Sequence, residues 1–128
     1  MSAMSDYLEN VFLSHFTGTS STSAPSAVYV GLSTGSMGDD NSGTELSGNN
    51  YSRKAVTFAA ASGGSISSNA AVEFDAASGS WGTISHWAIY DAATSGNQLF
   101  HGSFSQSKAI GSGDILKIAS GSLTITAA

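Results

Sequence analysis

The chain has no cysteine, a single proline and only 10% charged residues. Without cysteine there is no disulfide scaffold, no thiol catalysis and no cysteine-ligated zinc. Four Lys and Arg stand against nine Asp and Glu, for a net charge of −5. A nucleic-acid binder needs a dense positive footprint, and Arg53, Lys54, Lys108 and Lys117 do not supply one. The same shortage argues against docking on anionic lipid. No apolar run approaches the roughly 20 residues of a membrane span. The opening MSAMSDYLEN has neither the basic nor the apolar region of a signal peptide. The expected partners therefore include neither nucleic acid nor membrane. Gly, Ser, Ala and Thr fill the space that charge leaves. Sparse charge gives little colloidal repulsion, which suits a protein working inside an assembly.

What is present is a β pattern behind one helix. In residues 5–17, Tyr7, Leu8, Val11, Phe12, His15 and Phe16 recur at helical spacing and form one face. Asp6 and Glu9 have the spacing of a capping box, and Gly18 is a natural stop. The face is too aromatic to leave in water, so it should pack on the sheet or on a neighbouring molecule. A polar linker with Pro25 follows. Val28, Val30 and Leu32 then alternate with Tyr29 and Gly31, which predicts a strand. Residues 33–50 form a long loop, and loops of that length are usually functional or disordered. Val56, Phe58 and Ala60 mark a second strand, and Val72 and Phe74 a third. Two strands near 83–90 and 98–104 read as the central hairpin, turning through Asp91 to Asn97. Ile84, Trp87, Ile89 and Phe100 are its expected core residues. A last pair spans 114–119 and 122–126, turning at Ser120-Gly121. About seven short strands after one helix predict a mainly β single domain over 1–128. The expected form is an antiparallel β-sandwich, Greek-key or jelly-roll-like.

No catalytic constellation accompanies this pattern. His86 and His101 fall on adjacent strands and, with Asp91 or Asp75, invite a metal hypothesis; half-buried sheet histidines are the plainer reading. Asp39-Asp40-Asn41 offers oxygen ligands but lacks the distal glutamate of a calcium loop. There is no Gly-x-Ser-x-Gly elbow and no phosphate loop. The expectation is no catalytic residue, no metal and no cofactor. Trp81, between Gly79 and Gly82, is the aromatic placed to stack on a sugar; Trp87 belongs in the core.

The order of signals resembles a family of small phage tail fibre proteins. The similarity runs nearly end to end. It takes in Ser5-Asp-Tyr-Leu-Glu-Asn10, Val28-Tyr-Val-Gly-Leu-Ser-Thr34, Gly43-Thr-Glu45 and Gly48-Asn-Asn-Tyr-Ser-Arg-Lys-Ala-Val56. Ser68-Asn-Ala-Ala71 follows, then Gly79-Ser-Trp-Gly-Thr-Ile-Ser-His86, its most specific piece, and Leu123-Thr-Ile125. The resemblance implies a non-enzymatic virion component, on the tail or fibre or decorating the particle surface. A capsid head decoration protein and a host-glycan receptor-binding module stand as alternatives. The implied partners are other virion proteins and further copies of the chain, with a trimer as one form, or a host surface glycan. Tyr7, Val11, Phe12 and Phe16 on the helix, with Asp39, Asp40 and Tyr51 in or after the loop, are the expected interface residues. Trp81 is the expected glycan contact.

Overall fold

The computed structural model describes residues 2–127. Residues 1 and 128 of the expected 1–128 domain lie outside them. The elements run β1 (Ser2–Met4), α1 (Asp6–Phe16), β2 (Val28–Ser33), β3 (Lys54–Val56), β4 (Ser65–Ser67) and β5 (Val72–Glu73). They continue through β6 (Gly82–Tyr90), β7 (Gln98–Ile110), β8 (Lys117–Ile118) and β9 (Thr124–Thr126). The protein is mainly β, with one short helix, and every pairing is antiparallel. Five strands form a sheet in the order β1-β7-β6-β2-β3, while β4–β9 and β5–β8 are separate two-stranded ribbons.

Alternation decides which side of the sheet is apolar. Val30 and Leu32 of β2 and Trp87 and Ile89 of β6 pack in one cluster with Val72, Phe74, Ile118, Leu123 and Ile125. The two ribbons thus form a second layer over one sheet face. That layer is split into two separate ribbons. The expected hairpin core holds: Ile84, Trp87 and Ile89 are buried, and Phe100 packs against them. The other sheet face carries Ala88 and Tyr90, which the buried Met37 covers. Met37 belongs to the segment between β2 and β3, so that long loop is a lid on the sheet. Gly43 N–H donates to Met37 O at 2.8 Å, Leu46 N–H to Leu32 O at 2.9 Å and the Ser33 hydroxyl to Thr44 O at 2.7 Å.

Three local expectations change. The helix cap is Ser5, whose extended backbone puts the first helical turn at Asp6; its Oγ accepts Leu8 N–H at 3.2 Å. Asp6 and Glu9 therefore sit inside the first turn, where their charge still favours the positive end of the helix dipole. The segments 114–119 and 122–126 do not pair with each other. Ser68 stands between them: its N–H donates to Leu123 O at 2.9 Å, and its own carbonyl accepts Gly121 N–H at 2.8 Å. β8 consequently pairs with β5, and β9 with β4. Strands β1 and β4, at three residues each, are too short to show a period in the sequence.

Candidate protein interface

Helix α1 begins and ends with well-formed caps. Beyond the Ser5 cap, Asp6 N–H donates to Asp39 O at 2.8 Å. At the far end Gly18 takes φ +79°, which suits glycine. Gly18 N–H bonds His15 O at 3.3 Å and Thr19 N–H bonds Ser14 O at 3.0 Å, closing the last carbonyls. A helix capped at both ends needs less packing to persist, and α1 has little: none of its residues is buried. Leu8 and Val11 are half-buried, whereas Phe12 is 49%, Leu13 59% and Phe16 73% exposed.

The helix stands as a ridge between two open grooves. One, of about 510 Å³, lies between α1 and residues 22–26 and is lined by Tyr7, Val11, Phe16, Pro25 and Leu99 among others. The other, of about 390 Å³, lies between α1 and Ala3, Met4 and Phe100. Phe12 borders both. Its ring lies 4.9 Å from that of Phe16, and His15 meets Phe16 edge-on at 4.9 Å. Covering one such aromatic side chain contributes about 1.5–3 kcal/mol. The helix therefore leaves apolar surface in water that its own fold does not cover.

The expected interface residues separate into two groups. Tyr7, Val11, Phe12 and Phe16 share the ridge. Asp39 lies beside them, its carbonyl on the helix start and its carboxylate 2.5 Å from His101 Nε2. Asp40 is exposed in the same loop. It accepts Ser42 N–H at 3.0 Å, and its bonds to Ser42 hold its carboxyl below the ordinary value. Tyr51 is not on this surface. Its ring packs against the core, and its hydroxyl accepts Leu32 N–H at 2.9 Å and donates to Glu45 Oε2 at 2.5 Å. Burial, then the bond to Glu45, pushes its phenol far above the ordinary range.

Trp81 is a correction. It is 5% exposed, and its indole N–H donates to Asn49 O at 2.9 Å. Its ring meets Tyr51 and Phe74 edge-on, at 5.6 and 6.4 Å. No face is left on which a sugar could stack. The flanking glycines serve the backbone instead. Gly82 takes φ +81°, and a Cβ on Gly79 would lie 2.8 Å from the Asn49 side chain.

That contact belongs to a latch that sequence reasoning missed. Gly48, Asn49 and Asn50 are successive residues at positive φ, of 77°, 51° and 67°. Asn side chains tolerate this conformation better than most. The turn aims Asn49 Nδ2 at Ser80 O and Asn50 Nδ2 at Ala76 O, both at 3.0 Å. The doubled asparagine after a glycine was the available signal. Next to it, Arg53 fixes the same loop through Glu45 and through the carbonyls of Ala92 and Ser95, at 2.9 and 2.7 Å.

The remaining titratable groups do not converge. Asp91 accepts Asn97 N–H at 2.7 Å, Asp75 pairs with Lys54 at 2.8 Å, and His86 Nδ1 lies 2.7 Å from Ser85 Oγ. Among the described residues no three His, Asp or Glu are grouped to hold a metal ion.

The motifs that interlock here run through nearly the whole chain, and one family accounts for them. The family described as podophage GP4 fiber I protein gp80 matches residues 3–126. The chain belongs to this family. A search of curated proteins finds no match to it. Membership in the fiber I family makes the chain a phage tail or fibre structural protein and a component of the virion. No helix among the described residues is long and apolar enough to cross a membrane. Within the fiber I fold, Gly48-Asn-Asn-Tyr and Gly79-Ser-Trp-Gly are the two halves of the latch.

Proposed function

We propose that this fiber I protein is a non-enzymatic building block that acts by self-association and by docking to other virion proteins through α1. The observation that carries the reading is the exposed ridge of Tyr7, Phe12, Leu13 and Phe16 on a helix with no buried residue. Exposed apolar patches of this kind, rimmed by polar groups, mark interaction sites. Ser85 Oγ meets His86 Nδ1 at 2.7 Å, but among the described residues no acid is bonded to that imidazole to complete a triad; the Asp39–His101 pair lies elsewhere. Trp81 and Tyr51 are spent on the interior, so the glycan-binding alternative has lost its named contact.

The test is complementation of a phage lacking the gene with Phe12→Ser/Phe16→Ser protein. Both side chains are exposed, so the purified variant should keep its circular dichroism and melting temperature. Its copy number in purified particles, read by quantitative mass spectrometry, should fall at least tenfold. Incorporation at the wild-type level would end this reading of α1.

A further inference from the structure

Among the described residues the large exposed hydrophobic side chains fall in two places. Four lie on α1, and the fifth, Ile115, is 50% exposed. Ile115 precedes Leu116, which with Ile84, Phe104 and Ile118 lines an open groove of about 250 Å³. The groove arises from the β6–β7 register. Two steps along β6, from Ile84 to His86, are matched by five along β7, from Lys108 to Ser103. The three extra residues take Phe104–Ser107 out of step with β6 and open the space beside Ile84. This volume is below the roughly 300–1,000 Å³ of small-molecule pockets. It suits one or two inserted side chains.

Charge of opposite sign borders the same two places, although Glu73 stands opposite Lys117 across β5–β8. Of four basic side chains, Arg53 is paired with Glu45 and Lys54 with Asp75. Lys108 and Lys117 are exposed, make no ion pair among the described residues, and both line this groove. Asp6 and Glu9 are exposed in the first turn of α1, likewise without an ion pair. An acidic apolar ridge and a basic apolar groove therefore occur on one chain. They do not overlap. α1 borders the start of β7 at Leu99 and Phe100, and the groove takes Phe104 and Lys108 from its far half.

We propose that the α1 ridge of one copy seats in the Lys108–Lys117 groove of the next. Apolar ridge side chains meet the apolar floor, and Asp6 and Glu9 face the two lysines. The proposal rests on α1 being a docking face and names its occupant as a second copy. Because ridge and groove are different surfaces, the contact is head-to-tail. Such contacts close into a ring or run on as a filament, according to the rotation between copies.

The test is sedimentation velocity on the full chain over a concentration series. It compares wild type, the groove reversal Lys108→Glu/Lys117→Glu, the ridge reversal Asp6→Lys/Glu9→Lys, and an equimolar mixture of the two reversals. Wild type should oligomerise. Each reversal alone should raise the dissociation constant at least tenfold. The mixture should restore oligomers, since each acidic surface again meets a basic one; restoration also shows that both variants are folded. Phe12→Ser/Phe16→Ser separates the two claims. If it abolishes association while the reversals leave it intact, α1 docks but not in this groove, and the proposal is overturned. If neither changes association, the α1 reading falls with it. A wild type that stays monomeric throughout also overturns the proposal, while particle incorporation still tests α1 separately.

Discussion

Arg53 grips Glu45 at two points, with Nη2 2.8 Å from Oε1 and Nε 2.9 Å from Oε2. The same guanidinium lies 3.5 Å from the centre of the Tyr90 ring. Burial opposes the charge on Arg53, and Glu45 more than restores it. The side chains are 9% and 21% exposed, so the pair is largely but not wholly shielded from water. Arg53→Met should lower unfolding stability by about 2 kcal/mol, between the cost of breaking an exposed pair and that of stranding one member of a buried pair. Glu45→Leu/Arg53→Met should lose less than the two single losses combined, because neither charge is then stranded. Urea denaturation of the three variants measures this directly.

Gly31 is required by the same cluster. A Cβ there would lie 2.5 Å from Glu45 Oε2 and 2.9 Å from Tyr90 Cε2. Gly31→Ala should therefore destabilise by about 1–3 kcal/mol, as overpacking does. Thermal melts should show a lowered midpoint with an unchanged far-ultraviolet spectrum.

The buried phenols set an alkaline limit. Burial first, then the Glu45 charge, pushes Tyr90 up to about 12, and Tyr51 is raised further by burial and Glu45. In the unfolded chain both ionise near the ordinary value of about 10. Above that pH the unfolded state has lost protons that the native state keeps, so stability falls as pH rises. Their contribution should be constant below about pH 10 and decline from there towards 12 and beyond. Tyr90→Phe should make the decline shallower in denaturant titrations at stepped pH.

Trp81 carries stability. Trp81→Ala should cost about 3–5 kcal/mol, the range for emptying a large aromatic site in a core. Intrinsic fluorescence during urea unfolding measures that loss. A variant with wild-type stability would contradict the latch.

Much of this architecture was legible in the sequence because it is local. The helix showed its period through Tyr7, Val11 and Phe12. The central hairpin showed both its alternation and the turn at Asp91–Asn97, where Asp91 indeed binds Asn97. Trp81 was misread because its neighbours in sequence are glycines, while the carbonyl that fixes its indole belongs to Asn49. The 114–126 pair was misread because a nearby turn suggests a hairpin, and the intruding Ser68 comes from far earlier in the chain. Asp39 was read as a surface group, and its tie to the helix start depends on how the loop folds back over Ala88 and Tyr90. Contacts between distant segments leave no local period, and the latch, the lid and the split second layer are all of that kind.

The absence of cysteine permits a direct test of the central claim, that the α1 ridge is covered in the assembled fibre. Leu13→Cys would place the only thiol on the exposed ridge, and maleimide labelling can be followed on the free protein and on intact particles. The free protein should label fully, and the particle-bound protein at least tenfold more slowly, recovering when particles are dissociated. Equal labelling rates in the two states would contradict the account.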